Sequence, residues 1–198
     1  MRFVMMFLVF ILCGCATTSD LEGQVHNVQE HYQADAYGHY LTGVYYGNGG
    51  EFERAVQEKR KAFELSGGAA GLANELIDDY LRIQDYENAL LMTRRSLEVN
   101  PEDPVMYLRL GVIQLRLGNY GEASEAFRRT VAMDPEGIVG YRALLGVEES
   151  KDPLAAIDIS EQLIKLQPGS HQLYYHLGVN RYSVNNTAGA IEALETAL

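Results

Sequence analysis

Residues 107–135 read YLRLGVIQLRLGNYGEASEAFRRTVAMDP, and the pattern of this stretch recurs along the chain. An aromatic residue is followed three positions later by an alanine at Ala55, Ala89 and Ala123, and these alanines are thirty-four residues apart. A fixed period of this length is typical of chains that stack similar helix pairs, because no single pair can bury its apolar face alone. The period therefore predicts an array of helical repeats.

Prolines mark the end of each predicted pair. Pro101 and Pro135 are thirty-four residues apart, and Pro168 follows thirty-three residues later. The residue before a proline disfavours the helical conformation, so we expect the second helix to end there. No segment shows the alternation of apolar and polar residues that is typical of strands. Glycines lie at the predicted point of closest approach within a pair: Gly43, Gly111 and Gly178.

The repeat resembles the tetratricopeptide repeat (TPR) family, whose pattern is aromatic-x₂-Leu-Gly-x₂-Tyr, then Ala-x₃-Phe, then Pro. The third repeat carries it best, with Tyr107, Leu110, Gly111, Ala123, Phe127 and Pro135. The resemblance implies an all-α fold, a right-handed α-solenoid of about five helix-turn-helix repeats, and no cofactor. The expected repeats within the array at 36–198 are 36–69, 70–103, 104–137, 138–170 and 171–198.

The fourth repeat departs from the pattern. Its turn between helices, Ser150-Lys151-Asp152-Pro153, is one residue short, and its small residues are the pair Ala155 and Ala156. We expect a local irregularity at this turn.

The first residues are typical of an export signal. The basic start Met1-Arg2 precedes the apolar run Phe3–Leu12, which is too short to span a bilayer. The sequence Leu12-Cys13-Gly14-Cys15 resembles a bacterial lipobox, which implies cleavage of residues 1–14 and lipidation of Cys15. An ordinary cleaved signal is the alternative. A metal site is disfavoured because the chain has no third cysteine.

The resemblance to bacterial lipoproteins extends to the sorting of the mature protein. Ala16 after the lipidated cysteine, rather than aspartate, favours the periplasmic face of the outer membrane. Residues 15–35 would be a lipidated N-terminus and linker, flexible or partly helical. The formal charge of −11 opposes binding to nucleic acid or to an anionic membrane, so the lipid would supply the membrane attachment.

In TPR arrays the first helices line a concave groove, and the resemblance carries its positions onto this chain. An apolar patch of Leu108, Val112 and Leu115 would favour partner binding if it is exposed. The alternative is that these residues pack against a neighbouring repeat or an N-terminal helix. The predicted groove contains Tyr40, Asn74, Asp78, Arg82, Leu108, Val112, Leu115, Arg116, Arg142, Tyr175 and Tyr182.

Charged groove residues admit two interpretations. Arg82, Arg116 and Arg142 would form a basic strip suited to a peptide carboxylate, or they would pair with Asp78 and Glu149. The carboxylate clamp of chaperone-binding TPR proteins, which uses Lys and Asn, is absent from the first repeat, where the corresponding positions hold other residues: Tyr40 and Val44.

Reactive groups do not converge in the sequence, so we predict a binding protein and not an enzyme. His171 and His176 are five residues apart, which places them on different sides of a helix. The predicted function is a lipid-anchored scaffold or adaptor that binds a partner protein or peptide segment in the groove. It resembles TPR pilotins and protease adaptors in outline.

An apolar stripe at the C-terminus motivates the alternatives. They are a self-assembling scaffold that associates through the C-terminal repeat, and the N-terminal part of a longer TPR protein. The stripe consists of Ala190, Ile191, Leu194, Ala197 and Leu198.

Overall fold

The computed structural model describes the backbone of residues 18–198 and the side chains of residues 33–198. Ten α-helices and no strand occupy this described range. The predicted signal peptide and Cys15 lie outside it. The helices are α1 (Thr18–Asn48), α2 (Phe52–Leu65), α3 (Ala70–Arg82), α4 (Tyr86–Val99), α5 (Pro104–Arg116), α6 (Tyr120–Met133), α7 (Ile138–Lys151), α8 (Pro153–Leu166), α9 (His171–Ser183) and α10 (Thr187–Thr196).

The chain divides into two compact units, residues 1–72 and 73–198. In the described part of the first unit, α1 packs against α2. In the second unit, each helix from α4 onward packs against the next one in the chain. The predicted all-α solenoid of TPR repeats is thereby confirmed. We number the helix pairs in chain order, from the first (α1 and α2) to the fifth (α9 and α10).

Helix α1 begins before the expected repeat. It starts at Thr18, whereas the repeat pattern begins at Ala36. Within the predicted linker, which we expected to be flexible or partly helical, the backbone of residues 18–35 is therefore helical.

The second helices end where the prolines predict. Helices α4, α6 and α8 end two residues before Pro101, Pro135 and Pro168. The residue between each helix and its proline lies outside the helical region, with φ of −131° to −136° and ψ of 70° to 88°. Proline disfavours the helical conformation in its predecessor, so the chain turns out of the helix at this residue.

Most of the turns between first and second helices share one backbone conformation. In four of the pairs the turn has three residues, and the middle one has a positive φ. The next amide donates to the carbonyl five residues earlier, as Asn119 does to Gln114 at 2.8 Å, which closes the end of the first helix. The middle residues are Gly50, Gln84, Gly118 and Asn185, with φ of 80°, 61°, 80° and 62°.

The fourth pair lacks this turn, which confirms the expected irregularity. Asp152 alone joins α7 to α8 and ends one helix while it begins the next. Its carboxylate accepts hydrogen bonds from the amides of Leu154 and Ala155 at 3.1 and 3.2 Å. One side chain thus caps the N-terminus of α8.

The predicted close approaches within pairs are confirmed. A Cβ added to Gly111 would lie 2.3 Å from Cε1 of Phe127, and one added to Gly178 would lie 2.6 Å from Cγ of Leu194. At Gly43 the distance to Cγ of Lys59 would be 2.7 Å. Since real Cβ atoms do not approach other atoms this closely, glycine is required while the facing side chain is large.

Candidate functional site

The first helices of the second unit form the surface that the sequence predicts to bind a partner. We call the solvent-facing side of α3, α5, α7 and α9 the A-helix face. Most predicted groove residues in this unit are exposed there. Those classed as exposed are Asn74, Asp78, Arg82, Leu115, Arg116, Arg142, Tyr175 and Tyr182.

The predicted groove residue Tyr40 belongs to the first unit. It is half-buried on α1, and its ring lies 6.5 Å from the ring of Tyr37, which is 63% exposed. Leu41 and Tyr45 are exposed on the same helix. Aromatic and apolar side chains therefore face solvent along the described part of α1.

Both interpretations of the apolar patch on α5, packing within the array and exposure to a partner, hold for part of it. Leu108 and Val112 are half-buried because they pack against the core cluster around Phe127 and Leu144. Leu115, one turn further along, is 37% exposed. The patch is thus partly a packing surface, and only its end at Leu115 is open to a partner.

Asp78 has a different partner from those the sequence suggested. Arg109 forms a bidentate ion pair with the carboxylate of Asp78, at 2.7 and 3.0 Å. It also donates to the backbone carbonyl of Asn74 at 3.1 Å. The pairing joins α3 to α5. Arg109 was missed because its repeat position does not point into the groove in the TPR pattern.

Glu149 pairs with a histidine and not with an arginine. Nδ1 of His176 lies 2.6 Å from Oε1 of Glu149, and both side chains are 30% exposed. Arg142 instead donates to Oε1 of Gln167 at 2.8 Å. The carboxylates of Asp78 and Glu149 therefore have cationic or ionisable partners, while Arg142 has a neutral one.

A pocket of about 210 Å³ lies between α7 and α9 on the A-helix face. Leu145 and Leu173, both buried, form its floor. Gly146 leaves it open, because a Cβ added there would meet nothing within 4 Å. The only trace of this pocket in the sequence is Gly146, a glycine where a side chain would otherwise stand. Its polar lining consists of Arg142, Glu149, Gln172 and His176.

The second helices carry a separate apolar cleft of about 260 Å³ between α6 and α8. Beside it, Glu148 is 2% exposed and accepts hydrogen bonds from Ser124 and from Arg128, the latter at 2.8 Å. This buried carboxylate ties α7 to α6, so its role is structural.

The apolar stripe predicted on α10 is only partly exposed. Ala190 is buried and Leu194 is half-buried, whereas Ile191 is 53% exposed.

The described side chains contain no group of three histidine, cysteine or acidic residues placed to hold a metal ion. Among the described helices, none combines the length and apolar character that crossing a membrane requires.

In the first unit, the carboxyl of Glu58 has a lowered pKa. Lys61 donates to Glu58 at 2.8 Å, and Nδ1 of His39 lies 2.6 Å from the same carboxylate. These two contacts hold the pKa of the Glu58 carboxyl below its ordinary value. Because His39 is on α1 and Glu58 is on α2, the contact fastens the first pair.

Comparison with known proteins agrees with the repeat pattern. Residues 74–138 match the family model described as tetratricopeptide repeat. Human serine/threonine-protein phosphatase 5 is 32% identical over 106 residues, which are 51% of this chain and 21% of the phosphatase. Human tetratricopeptide repeat protein 28 is 25% identical over 155 residues, which are 75% of this chain and 6% of that protein. The chain thus spans a small part of these curated relatives.

Solved structures show the same fold at low sequence identity. The crystal structure of MamA protein has a TM-score of 0.73 and 19% identity, with 83% of this chain and 90% of that chain covered. YrrB, described as a TPR protein with an unusual peptide-binding site, has a TM-score of 0.68 and 21% identity, with 87% and 89% covered. Arrays of this kind present extended surfaces that bind other proteins, so the coarse function is that of a scaffold for protein–protein interaction.

Proposed function

We propose that this chain is a lipid-anchored adaptor of the bacterial envelope. In this proposal Cys15 holds it at the periplasmic face of the outer membrane, and the A-helix face binds an extended segment of a partner protein. The observation that carries the binding role is the A-helix face itself. It combines the exposed Leu115, exposed arginines and an open pocket on successive helices.

The anchoring role is supported by the sequence of the first fifteen residues. The apolar run Phe3–Leu12 and the lipobox-like Leu12-Cys13-Gly14-Cys15 are typical of exported lipoproteins. Each buried methylene of an acyl chain contributes about 0.8 kcal/mol to membrane binding, which compensates for the acidic surface.

Fractionation tests the anchor. The full chain with a C-terminal tag is expressed in a Gram-negative host with labelled palmitate, beside the Cys15→Ala variant. We expect the wild type to carry the palmitate label and to fractionate with the outer membrane, and we expect the variant to do neither. Cys13→Ala is the matched control and should behave as the wild type does. Label that persists in Cys15→Ala would rule out the proposed lipidation site.

Site-specific crosslinking tests the binding face. A photoreactive amino acid replaces Leu115 on α5, which is 37% exposed, or Leu91 on α4, which is 49% exposed. In the native host we expect one discrete adduct from position 115 and none from position 91. Equal adducts from both positions would contradict the assignment of the face. An adduct between two copies of this chain would support the self-assembling scaffold instead.

A further inference from the structure

We infer that the pocket between α7 and α9 receives one apolar side chain of an acidic partner segment, with Arg142 at its rim binding a flanking carboxylate. This inference rests on the proposed binding role of the A-helix face and specifies the chemistry of the partner.

The size of the pocket indicates a single side chain. Its volume of about 210 Å³ is below the roughly 300 Å³ at which sites for small molecules begin. The floor is apolar because Leu145 and Leu173 form it, and Gly146 leaves the entrance free. A protruding apolar side chain of a longer ligand fits this shape, since it would bury apolar surface without losing hydrogen bonds.

The charges on the same face indicate an acidic ligand. Asp78 is neutralised by Arg109, and Glu149 is paired with His176. Arg142 donates only to a neutral amide, and Arg116 has no carboxylate within 4 Å among the described side chains. Arg142 is therefore a cation at the pocket rim that bonds to no carboxylate, in a chain whose formal charge is −11. Complementary charge favours a segment that carries aspartate or glutamate.

Three fluorescein-labelled peptides test this inference by fluorescence anisotropy. They share a central leucine, and their flanks are aspartate and serine, lysine and serine, or serine alone. We expect the aspartate peptide to bind the signal-less protein at least about tenfold more tightly than the lysine peptide. Its affinity should fall as salt is raised. Replacing the central leucine with alanine should weaken binding about tenfold.

Variants locate the binding at the pocket. Gly146→Leu would fill the pocket, and Arg142→Glu would reverse the charge at its rim. Each variant should bind the aspartate peptide about tenfold more weakly than the wild type does. Gly121→Leu on α6 is the matched control for the first, because a Cβ at Gly121 also meets nothing within 4 Å. Arg95→Glu on α4 matches the second. Both controls should stay within about twofold of the wild type, and circular dichroism checks that all four variants fold.

Two outcomes would overturn the inference. One is equal binding of the lysine and aspartate peptides, or no binding of either. The other is unchanged affinity in Gly146→Leu. If the adduct from position 115 still forms in either case, the proposed binding role stands and only this assignment fails. If that adduct is also absent, the binding role itself fails.

Discussion

The third and fourth helix pairs solve the same packing problem in opposite ways. In the third pair the first helix carries Gly111 and the second carries Phe127, whose ring fills the space that the glycine leaves. In the fourth pair the equivalent positions hold Leu145 and Ser160, both buried. The large side chain comes from the second helix in one pair and from the first helix in the other.

The other pairs follow the same rule in alternation. The first and fifth pairs resemble the third, with a glycine facing Lys59 or Leu194. The second pair resembles the fourth, with Ile77 at the position of Gly111 and Thr93 at the position of Phe127, both buried. Thr93 and Ser160 each donate to the carbonyl four residues earlier at 2.8 Å, which satisfies their buried hydroxyls. In each of the five pairs, one of the two positions thus holds a small residue and the other a larger one, and glycine occurs where the second helix carries the larger one.

Giving the third pair the residue sizes of the fourth pair should have the largest effect on the free energy of unfolding. Phe127→Ser removes a buried ring, and Gly111→Leu overpacks against it, so each alone should lower the free energy of unfolding by about 3 kcal/mol. The double variant copies the arrangement of the fourth pair and should recover more than half of the summed loss. Equilibrium unfolding in urea measures all three. Losses that simply add would show that the two positions are not coupled.

The linkers provide a second contrast between these pairs. Asp152→Ala removes the side chain that caps α8, and we expect a loss of about 1 kcal/mol in the free energy of unfolding. Asn119 occupies the equivalent position before α6, but its side chain makes no capping hydrogen bond and donates instead to Oε1 of Gln114 at 2.9 Å. Asn119→Ala should therefore lose less in the same urea titration. An equal loss would mean that the one-residue linker does not depend on its cap.

The first pair should differ from the third and fifth in its response to pH. Its large residue is Lys59, and beside it Glu58 has a lowered pKa. A carboxyl with a lowered pKa stabilises the fold above its unfolded pKa of about 4.3, and this stabilisation is lost as pH falls through the folded pKa. Glu58→Gln should cost less than about 1 kcal/mol at pH 7, and the cost should shrink below about pH 4.

Thermal unfolding of this variant across pH measures the difference. Glu125→Gln is the control, because Glu125 is 67% exposed and makes only a surface ion pair, with Nε of Arg129 at 3.4 Å. It should show little pH-dependent difference from the wild type. A difference for Glu58→Gln that is constant between pH 7 and 3 would contradict the assigned role.

The turns should show the smallest effect. Gln84 has a positive φ where the first and third pairs use glycine, and this conformation strains a residue with a Cβ. Gln84→Gly should raise the free energy of unfolding by about 0.5 kcal/mol, since the relief exceeds the added freedom of the unfolded chain. Asn185→Gly should gain less, because asparagine tolerates this conformation better. A lower free energy of unfolding in Gln84→Gly would contradict the backbone strain assigned to Gln84.

Much of the fold followed from the sequence because it depends on local periodicity. Ala89 and Ala123 placed the helix pairs, Pro135 placed a helix end, and the missing residue before Pro153 predicted the irregular linker. These features act within one or two turns of helix, so their positions along the chain are sufficient.

The binding face was harder to predict because its properties depend on contacts between helices. The sequence identified exposed positions such as Arg142, yet it did not identify Arg109 as the partner of Asp78. Arg109 reaches that carboxylate across thirty-one residues, and repeat position alone does not determine which side chain does so. Gly146 forms a pocket only because α9 lies beside it, which no local pattern encodes.

The complementary positions within each pair also bear on how such an array changes by recombination. A breakpoint between pairs transfers both members of a fitted set, such as Gly111 with Phe127, so the exchanged pair keeps its own internal fit. A breakpoint inside a pair would join Gly111 to a small residue or Leu145 to a large one, and leave a void or a clash. Viable duplications and exchanges in this gene are therefore expected to have their junctions near Pro101, Pro135 and Pro168.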